Sequence, residues 1–565
     1  MRRHGDVLVG SAAMALSFAA AAVVLELWNA DLRVPFTYTG DGTLNLFFVK
    51  NVLENAWYFE NSRVGAPSGL ELYDYPVING ETLNLLLFRV LGIGTGDPAL
   101  VLNLFFLLTF PLAALTSFIV LRRLAVSRGI ALVISVLYAL LPYHFMRGEA
   151  HVFLVAYYAA PLGAYLAIAV FRGDRLFGGW RPTLITAALC AVVATASGSG
   201  YYAVFTVVLV IVAAVLRFVA SREREALIAG GAVVAAITAV FLLQLAPTLV
   251  YRAVNGSNDE VARRYWFETE NYSLRLTNLV LPVDGHRIGA FAGRKAEYVE
   301  KVPQNEARAA TLGIVASVGF LWLVGVALAA VAGAGRRYDL GLHAGLGALT
   351  LASVLLASTG GFATLIAVVW PQIRAWNRIS VFIAFFSFVA VAVILSRIER
   401  RLRAFGFAAL LAAVLAIGLF DQTSKAFVPP YDATEASWRA NETFFPLLEK
   451  RLSEEAMVVY LPHEPFPEPE PGRLGLYEPA KAYLHTKDLR WSWGAMRGRQ
   501  ADWLGELAGR PASEVIAAAR ERGFTGLLVD RLAYPDDGAG ITSELRVLGG
   551  EALRSGDGRF LFYRL

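Results

Sequence analysis

The chain has 565 residues, 56% of them hydrophobic and 17% charged, with a mean hydropathy of +0.51. That balance leaves too little polar surface for a soluble protein of this length and points to repeated bilayer crossing. The formal charge of +5 resides in short connectors between apolar runs, where topology signals sit, so nucleic acid is not an expected partner.

Arg2 and Arg3 precede an apolar run at 7–28. This run is longer than the core of a signal peptide and no small-residue cleavage site follows it, so it is expected to be a retained first span. Further runs near 20 residues, the length a bilayer requires, lie at 97–121, 129–146, 151–171, 183–198, 201–219, 226–248, 311–334, 341–358, 378–396 and 403–420. About eleven spans are therefore predicted. The connectors holding Arg122, Arg123 and Arg128, then Arg172, Arg175 and Arg181, then Arg217, Arg222 and Arg224, fall on one side. Arg336 and Arg337, and Arg397, Arg400, Arg401 and Arg403, fall there too. The intervening connectors are nearly free of Lys and Arg. An N-terminus inside and a C-terminus outside satisfies every loop. The single cysteine, Cys190, lies in an apolar run, so no intramolecular disulfide is available.

Three segments are then external. The first, 29–96, carries Gly40-Asp41-Gly42 and two amphipathic stretches, Leu44–Phe59 and Thr82–Leu91, expected on the membrane surface. Asp41 is either a turn residue or a carboxylate at the outer face that acts as a general base or holds a cation. Between two spans, the connector from Pro142 holds His144, Arg147, Glu149 and His151. Ionisable groups at membrane depth are costly, which makes them functional candidates. Glu149 is a second carboxylate candidate, while His144, Arg147 and His151 are phosphate-binding candidates. The Ser197–Tyr202 turn places Tyr201 and Tyr202 as candidate substrate contacts on the same side. The second external segment, 249–310, is rich in charge and aromatics without a legible catalytic spacing. A short apolar stretch, Phe362–Trp370, reads as a half helix. It leads into Arg374, Asn377 and Arg378, on a side that should be poor in Arg. The guanidinium fork suits phosphate, and Asn377 is a further substrate contact. The third segment, 421–565, changes to a soluble composition. Strands are expected at Met457–Leu461, Gly526–Val529 and Gly558–Leu565, with a helix at Pro511–Arg522, giving a small α/β domain.

No Walker loop, dinucleotide fingerprint or Cys/His metal spacing occurs, which disfavours nucleotide-driven transport. The layout resembles the GT-C superfamily of integral membrane glycosyltransferases. Gly40-Asp41-Gly42 stands where that family has an acidic residue after its first span, and Glu149 stands in the next external connector. More narrowly, Asn61–Pro67, Asp74-Tyr75-Pro76, Ser199–Tyr202 and Ser273–Pro282 resemble the YfhO-like bacterial branch.

The resemblance covers about residues 1–420 and implies a mostly α membrane bundle over 1–420, with an extracytoplasmic domain at 421–565. It implies transfer of a sugar, hexosyl or pentosyl, from a polyprenyl-phosphate donor to an acceptor at the outer face of the inner membrane: a cell-envelope polymer, a lipid or a protein. Asp41 would be the base, with Asp74 in reserve. Arg378 and Arg374 would hold the donor phosphate. A divalent cation, Mg or Mn, if present, would be bound by Asp41 and Glu149. The competing readings are a lipid or polysaccharide flippase, a non-catalytic envelope assembly protein, and a phosphoglycerol or similar group transferase.

Overall fold

The computed structural model describes residues 2–333, 341–546 and 552–565. Among them, nine helices are long and apolar enough to cross a membrane: His4–Val24, Pro98–Arg123, Arg128–Arg147, Glu149–Arg172, Tyr201–Ser221, Arg224–Asn255, Ile314–Val331, Trp376–Glu399 and Ala404–Gln422. Two shorter apolar helices, Trp180–Thr195 and Gly341–Ala357, occupy the remaining two predicted span positions. At 16 and 17 residues they are roughly 25 Å long, and a bilayer accommodates them by thinning or by tilt of their neighbours. Local chemistry sets the helix starts. Asp97 caps the helix that follows by accepting from the amides of Ala99 and Leu100, and Pro98 takes the first helical position, where no amide is needed.

The connectors sort to two ends of the bundle. At one end Asp6 accepts from Arg122 at 3.0 Å and Arg128 at 2.7 Å, and Arg217 pairs with Glu223. Arg336 and Arg337 lie outside the described residues. At the other end the long segments meet one another: Thr37 N donates to Glu149, Ser197 N to the Gly80 carbonyl, Leu274 N to the Ala357 carbonyl and Asn377 N to the Tyr272 carbonyl. The grouping is the one the Lys/Arg pattern predicts.

Beyond the last span, helix Tyr431–Glu449 leads into a five-stranded sheet. Numbered after the small hairpin of β1 (Glu60–Asn61) and β2 (Leu70–Glu71), its strands are β3 (Met457–Leu461), β4 (Arg490–Trp491), β5 (Gly526–Asp530), β6 (Leu553–Arg554) and β7 (Phe560–Arg564). Their order is β4-β3-β5-β7-β6. β3 is parallel to β4 and β5, whereas β7 is antiparallel to β5 and β6. Helix Ala512–Glu521 forms the crossover into β5.

This region sits directly on the first external segment. Helix Asp41–Glu54 was expected on the membrane surface, but it is buried between the bundle and the C-terminal sheet. Leu46, Phe47, Val49 and Val52 are fully covered, and Phe47 packs on Phe466, Tyr483 and Trp493. Lys50 donates to the carbonyls of Tyr483, Leu484 and Thr486 at 2.8, 3.0 and 2.8 Å, closing the end of a short helix. Tertiary packing overrides the amphipathic pattern here: a helix with one polar face buries that face when the covering domain supplies carbonyls for its lysine. Helix Thr82–Gly92, by contrast, leaves Leu86 and Val90 exposed, as a membrane-facing helix does.

A second clamp is Asp74, 1% exposed. Arg499 grips it with two bonds of 2.7 and 3.0 Å, and Asn258 donates at 3.3 Å. Removing one partner of a buried pair costs about 3–5 kcal/mol, because the remaining charge is left uncompensated. Arg499→Ala is therefore expected to lower the melting temperature in detergent markedly. An unchanged melting temperature would show that the clamp contributes nothing to stability.

Glu81 supplies a pH dependence. It is fully buried at the entry to helix Thr82–Gly92 and accepts from Ser199 N, Ser197 Oγ and Asn84 Nδ2. Burial pushes its carboxyl up to about 8, against the pull of those bonds. The folded state thus binds the proton more tightly than the unfolded chain, whose carboxyl titrates near 4.5. The associated stability is fully present below that value and is lost as pH rises to about 8, on the order of a few kcal/mol. Thermal melts should fall across that window in the wild type, and Glu81→Gln should flatten the slope.

Candidate active site

Gly40 precedes Asp41 with φ 54° and ψ −134°, a conformation that a side chain strongly disfavours. A Cβ on Gly42 would lie 2.6 Å from the Thr37 side chain. The two glycines thus serve a tight turn and a close approach, and Asp41 becomes the first residue of helix Asp41–Glu54, where the helix dipole favours a carboxylate. Among the described residues that carboxylate makes no hydrogen bond and no ion pair. Burial raises its pKa from the usual range, opposed by the nearby charges of His151, Arg378 and Arg374 and reinforced by Glu306.

The centre of the site is Glu306, on a short 3-10 turn, Glu306–Ala310, within the second external segment. Arg378 donates to both its carboxylate oxygens, with Nη2 at 3.0 Å from each and Nε at 3.1 Å. Arg147 Nη1 donates at 2.7 Å, and His151 Nε2 lies 3.7 Å away. Burial works against its charge, but the Arg378 and Arg147 guanidiniums win and hold the Glu306 carboxyl well below the usual range. Arg147 is fixed in turn by Asn377 Oδ1 at 3.0 Å, and Asn377 Nδ2 donates to the Tyr272 carbonyl. The Arg378 guanidinium lies 4.3 Å from the Tyr201 ring centroid. Arg374 is a neighbour but pairs with Glu268 at 2.6 Å.

The predicted residues therefore divide. Asp41, Arg147, His151, Tyr201, Arg374, Asn377 and Arg378 converge on one region. His144 does not join them. It is buried in the bundle, stacked on Phe110 at 3.6 Å, with Nε2 bonded to Thr109 and Nδ1 to the Ala139 carbonyl, so no nitrogen is left for phosphate. Tyr202 is fully buried and its hydroxyl goes to the Leu154 carbonyl and Tyr143. Asp74 is spent in the Arg499 clamp. Glu149 is buried too: one oxygen accepts from Thr37 N at 2.9 Å, and its carbonyl accepts from Asn45. It holds the chain leading to Asp41 through that bond, while its other oxygen, Oε1, is buried without a partner.

Sequence reasoning missed Glu306, Glu268, Tyr75 and Tyr477. Tyr75 and Tyr477 have buried rings, and burial raises both hydroxyls well above the ordinary tyrosine value; Asp41 is one of the charges that act on each. Tyr477 comes from the C-terminal region and sits at φ 63°, a left-handed backbone that a bulky residue rarely adopts and that costs about 1–3 kcal/mol. Beside them Glu468, also from that region, pairs with Arg264 at 2.6 Å. The C-terminal region thus roofs the site. For Glu306 and Glu268 the only sequence signal was the charge and aromatic richness of 249–310; Tyr75 appeared only within the Asp74-Tyr75-Pro76 motif, and Tyr477 carried no signal.

Among the described residues no group of three or more His, Cys, Asp or Glu is placed to hold a metal ion. The Asp41 carboxylate makes no hydrogen bond among the described residues, and of the Glu149 oxygens Oε2 accepts from Thr37 N while Oε1 is buried without a partner.

The fold is similar to that of solved integral membrane glycosyltransferases. Among solved structures, ArnT from Cupriavidus metallidurans in its apo state superposes with a TM-score of 0.54 at 12% identity, covering 100% of this chain and 98% of that one. ArnT bound to undecaprenyl phosphate gives 0.52 at 13% identity, covering 97% of each chain. The mycobacterial arabinofuranosyltransferase AftD gives 0.48 at 18% identity; the match covers 100% of this chain but only 40% of AftD. No family model and no curated protein matches the sequence. None of these three structures is of the YfhO-like branch, and that narrower resemblance rests on the sequence motifs alone.

Proposed function

We propose that the chain is a membrane glycosyltransferase that moves a sugar from a polyprenyl-phosphate donor to an acceptor at the outer face of the inner membrane. In this reading the N-terminus lies inside and the C-terminal region outside. The observation that carries it is an unpartnered carboxylate, Asp41, set beside a cradle of Arg378, Arg147 and His151. A base and an anion site side by side are what displacement of a phosphate leaving group needs. The fold it shares with ArnT, solved with undecaprenyl phosphate bound, supports the donor class.

Asp41 takes the proton of the acceptor hydroxyl. The acceptor oxygen bonds to the anomeric carbon as the bond from that carbon to the phosphate oxygen breaks. The electron pair leaves with the polyprenyl phosphate, whose growing charge Arg378 and Arg147 offset. Attack opposite the leaving group inverts the anomeric centre. Asn377 and Tyr201 keep the two arginines in place, and Arg374 adds positive potential nearby. Charged groups gather at the ends of the bundle and not along the spans, which favours an interfacial enzyme over a flippase. A panel of radiolabelled polyprenyl-phosphate sugars offered with envelope extracts tests the reading. Transfer from one donor supports it; no transfer from any, by a folded protein that binds no polyprenyl phosphate, overturns it.

A further inference from the structure

Glu306 occupies the position that the proposed function gives to a phosphate. One carboxylate meets two guanidiniums and an imidazole. The cradle is not saturated by Glu306: Arg147 Nε is a buried donor without an acceptor, and His151 Nδ1 is buried without a hydrogen-bond partner. A planar carboxylate has two oxygens to offer, whereas a tetrahedral phosphate monoester has three non-bridging ones. Exposure orders the groups as well. The Arg147 and Arg378 side chains are 3% and 12% exposed, Glu306 is 18% exposed, and the turn that carries Glu306 continues into the small buried residues Ala307, Ala309 and Ala310. The carboxylate is thus more exposed than either arginine, though less than His151 at 27%, and an outward rotation of it would leave both arginines packed.

We propose that Glu306 is a built-in competitor for the phosphate: it holds the arginines in their binding geometry, and a phosphoryl anion displaces it on entry. Glu306 then determines specificity, because a ligand with a single carboxylate gains nothing by replacing a carboxylate already tethered there. The inference rests on the reading of Arg378 and Arg147 as the phosphate site.

The test is calorimetric binding of inorganic phosphate and of farnesyl phosphate to the full chain in detergent, for the wild type, Glu306→Gln and Arg378→Gln. Removing the competing charge is expected to lower the Kd of Glu306→Gln roughly tenfold, while Arg378→Gln binds more weakly than the wild type. Glu306→Asp, which keeps the charge but shortens its reach, is expected to shift the Kd in the same direction as Glu306→Gln and serves if the Gln variant does not fold. Unchanged or weaker binding by the Glu306 variants, with loss in Arg378→Gln, overturns the competitor and leaves the phosphate site standing. Equal binding by wild type and Arg378→Gln overturns both. Tighter binding of farnesyl phosphate than of inorganic phosphate supports a lipid headgroup as the source of the anion. Equal binding of the two overturns the lipid source.

Discussion

Asp41→Asn is expected to abolish nearly all sugar transfer while leaving the protein folded. General base catalysis contributes about 10²–10⁴-fold, and the asparagine keeps the shape of the side chain while removing the basic oxygen. Because the Asp41 carboxylate makes no pair among the described residues, its loss strands no partner, and the melting temperature should stay within about 1 kcal/mol-equivalent of the wild type. That combination, lost transfer with an intact melt, separates chemistry from stability. The pH profile supplies a second readout. Burial raises the Asp41 carboxyl, and only the ionised form accepts a proton, so transfer should rise with pH through a limb above the ordinary aspartate range. Equal transfer by Asp41→Asn would remove Asp41 from the mechanism and turn attention to Glu149, the other carboxylate near the first external segment.

Arg378→Gln is expected to have the other large effect, and on two quantities at once. It removes the fork that holds both Glu306 oxygens, leaving a carboxylate compensated by Arg147 and a nearby histidine. Breaking a buried pair this way costs about 3–5 kcal/mol. On the proposed mechanism it also removes a charge that faces the leaving phosphate, and losses of single electrostatic stabilisers reach about 10²–10³-fold in rate. The double variant Arg378→Gln/Glu306→Gln separates the two. It should recover much of the melting temperature, since neither charge is then stranded, yet recover none of the transfer. Arg378→Lys should also fail to restore transfer, because an ammonium cannot reproduce a two-pronged contact. Recovery of transfer in the double variant would show that Arg378 acts only as the structural partner of Glu306.

The parts of the fold that were legible have local causes. The run at 7–28 is helical as far as Val24 because it is predominantly apolar over a bilayer's length, and the same argument located ten further helices, two of them too short to be counted by length alone. Met457–Leu461 reads as a strand because it is apolar and β-branched and stops at a proline, and it is one. β4 and β6, two residues each, were invisible, since a pair of residues carries no period. The half helix Phe362–Val369 was visible for the reason the strand was: it ends where Trp370-Pro371 cannot continue it.

The site was legible only in part. Asp41 and Arg378 stood out because charges there break the rule for their neighbourhood: a carboxylate between glycines, and an arginine on the side that should lack one. His144 broke the same rule and was read the same way, yet it is a core residue. Phe110 and Thr109, from a different helix, supply its stacking face and a hydrogen-bond partner. Nothing within the His144–His151 connector records that. Glu306 shows the opposite failure. It lies 72 residues from Arg378 and 159 from Arg147 in a loop without a motif. Hydropathy and charge bias act over the length of one helix, so the sequence by itself determined the membrane class, the span positions and which connectors share an end. Ion pairing and packing act through space, so the tertiary structure alone decided that one carboxylate would gather both arginines, and that the C-terminal region would pack on the helix that Asp41 begins.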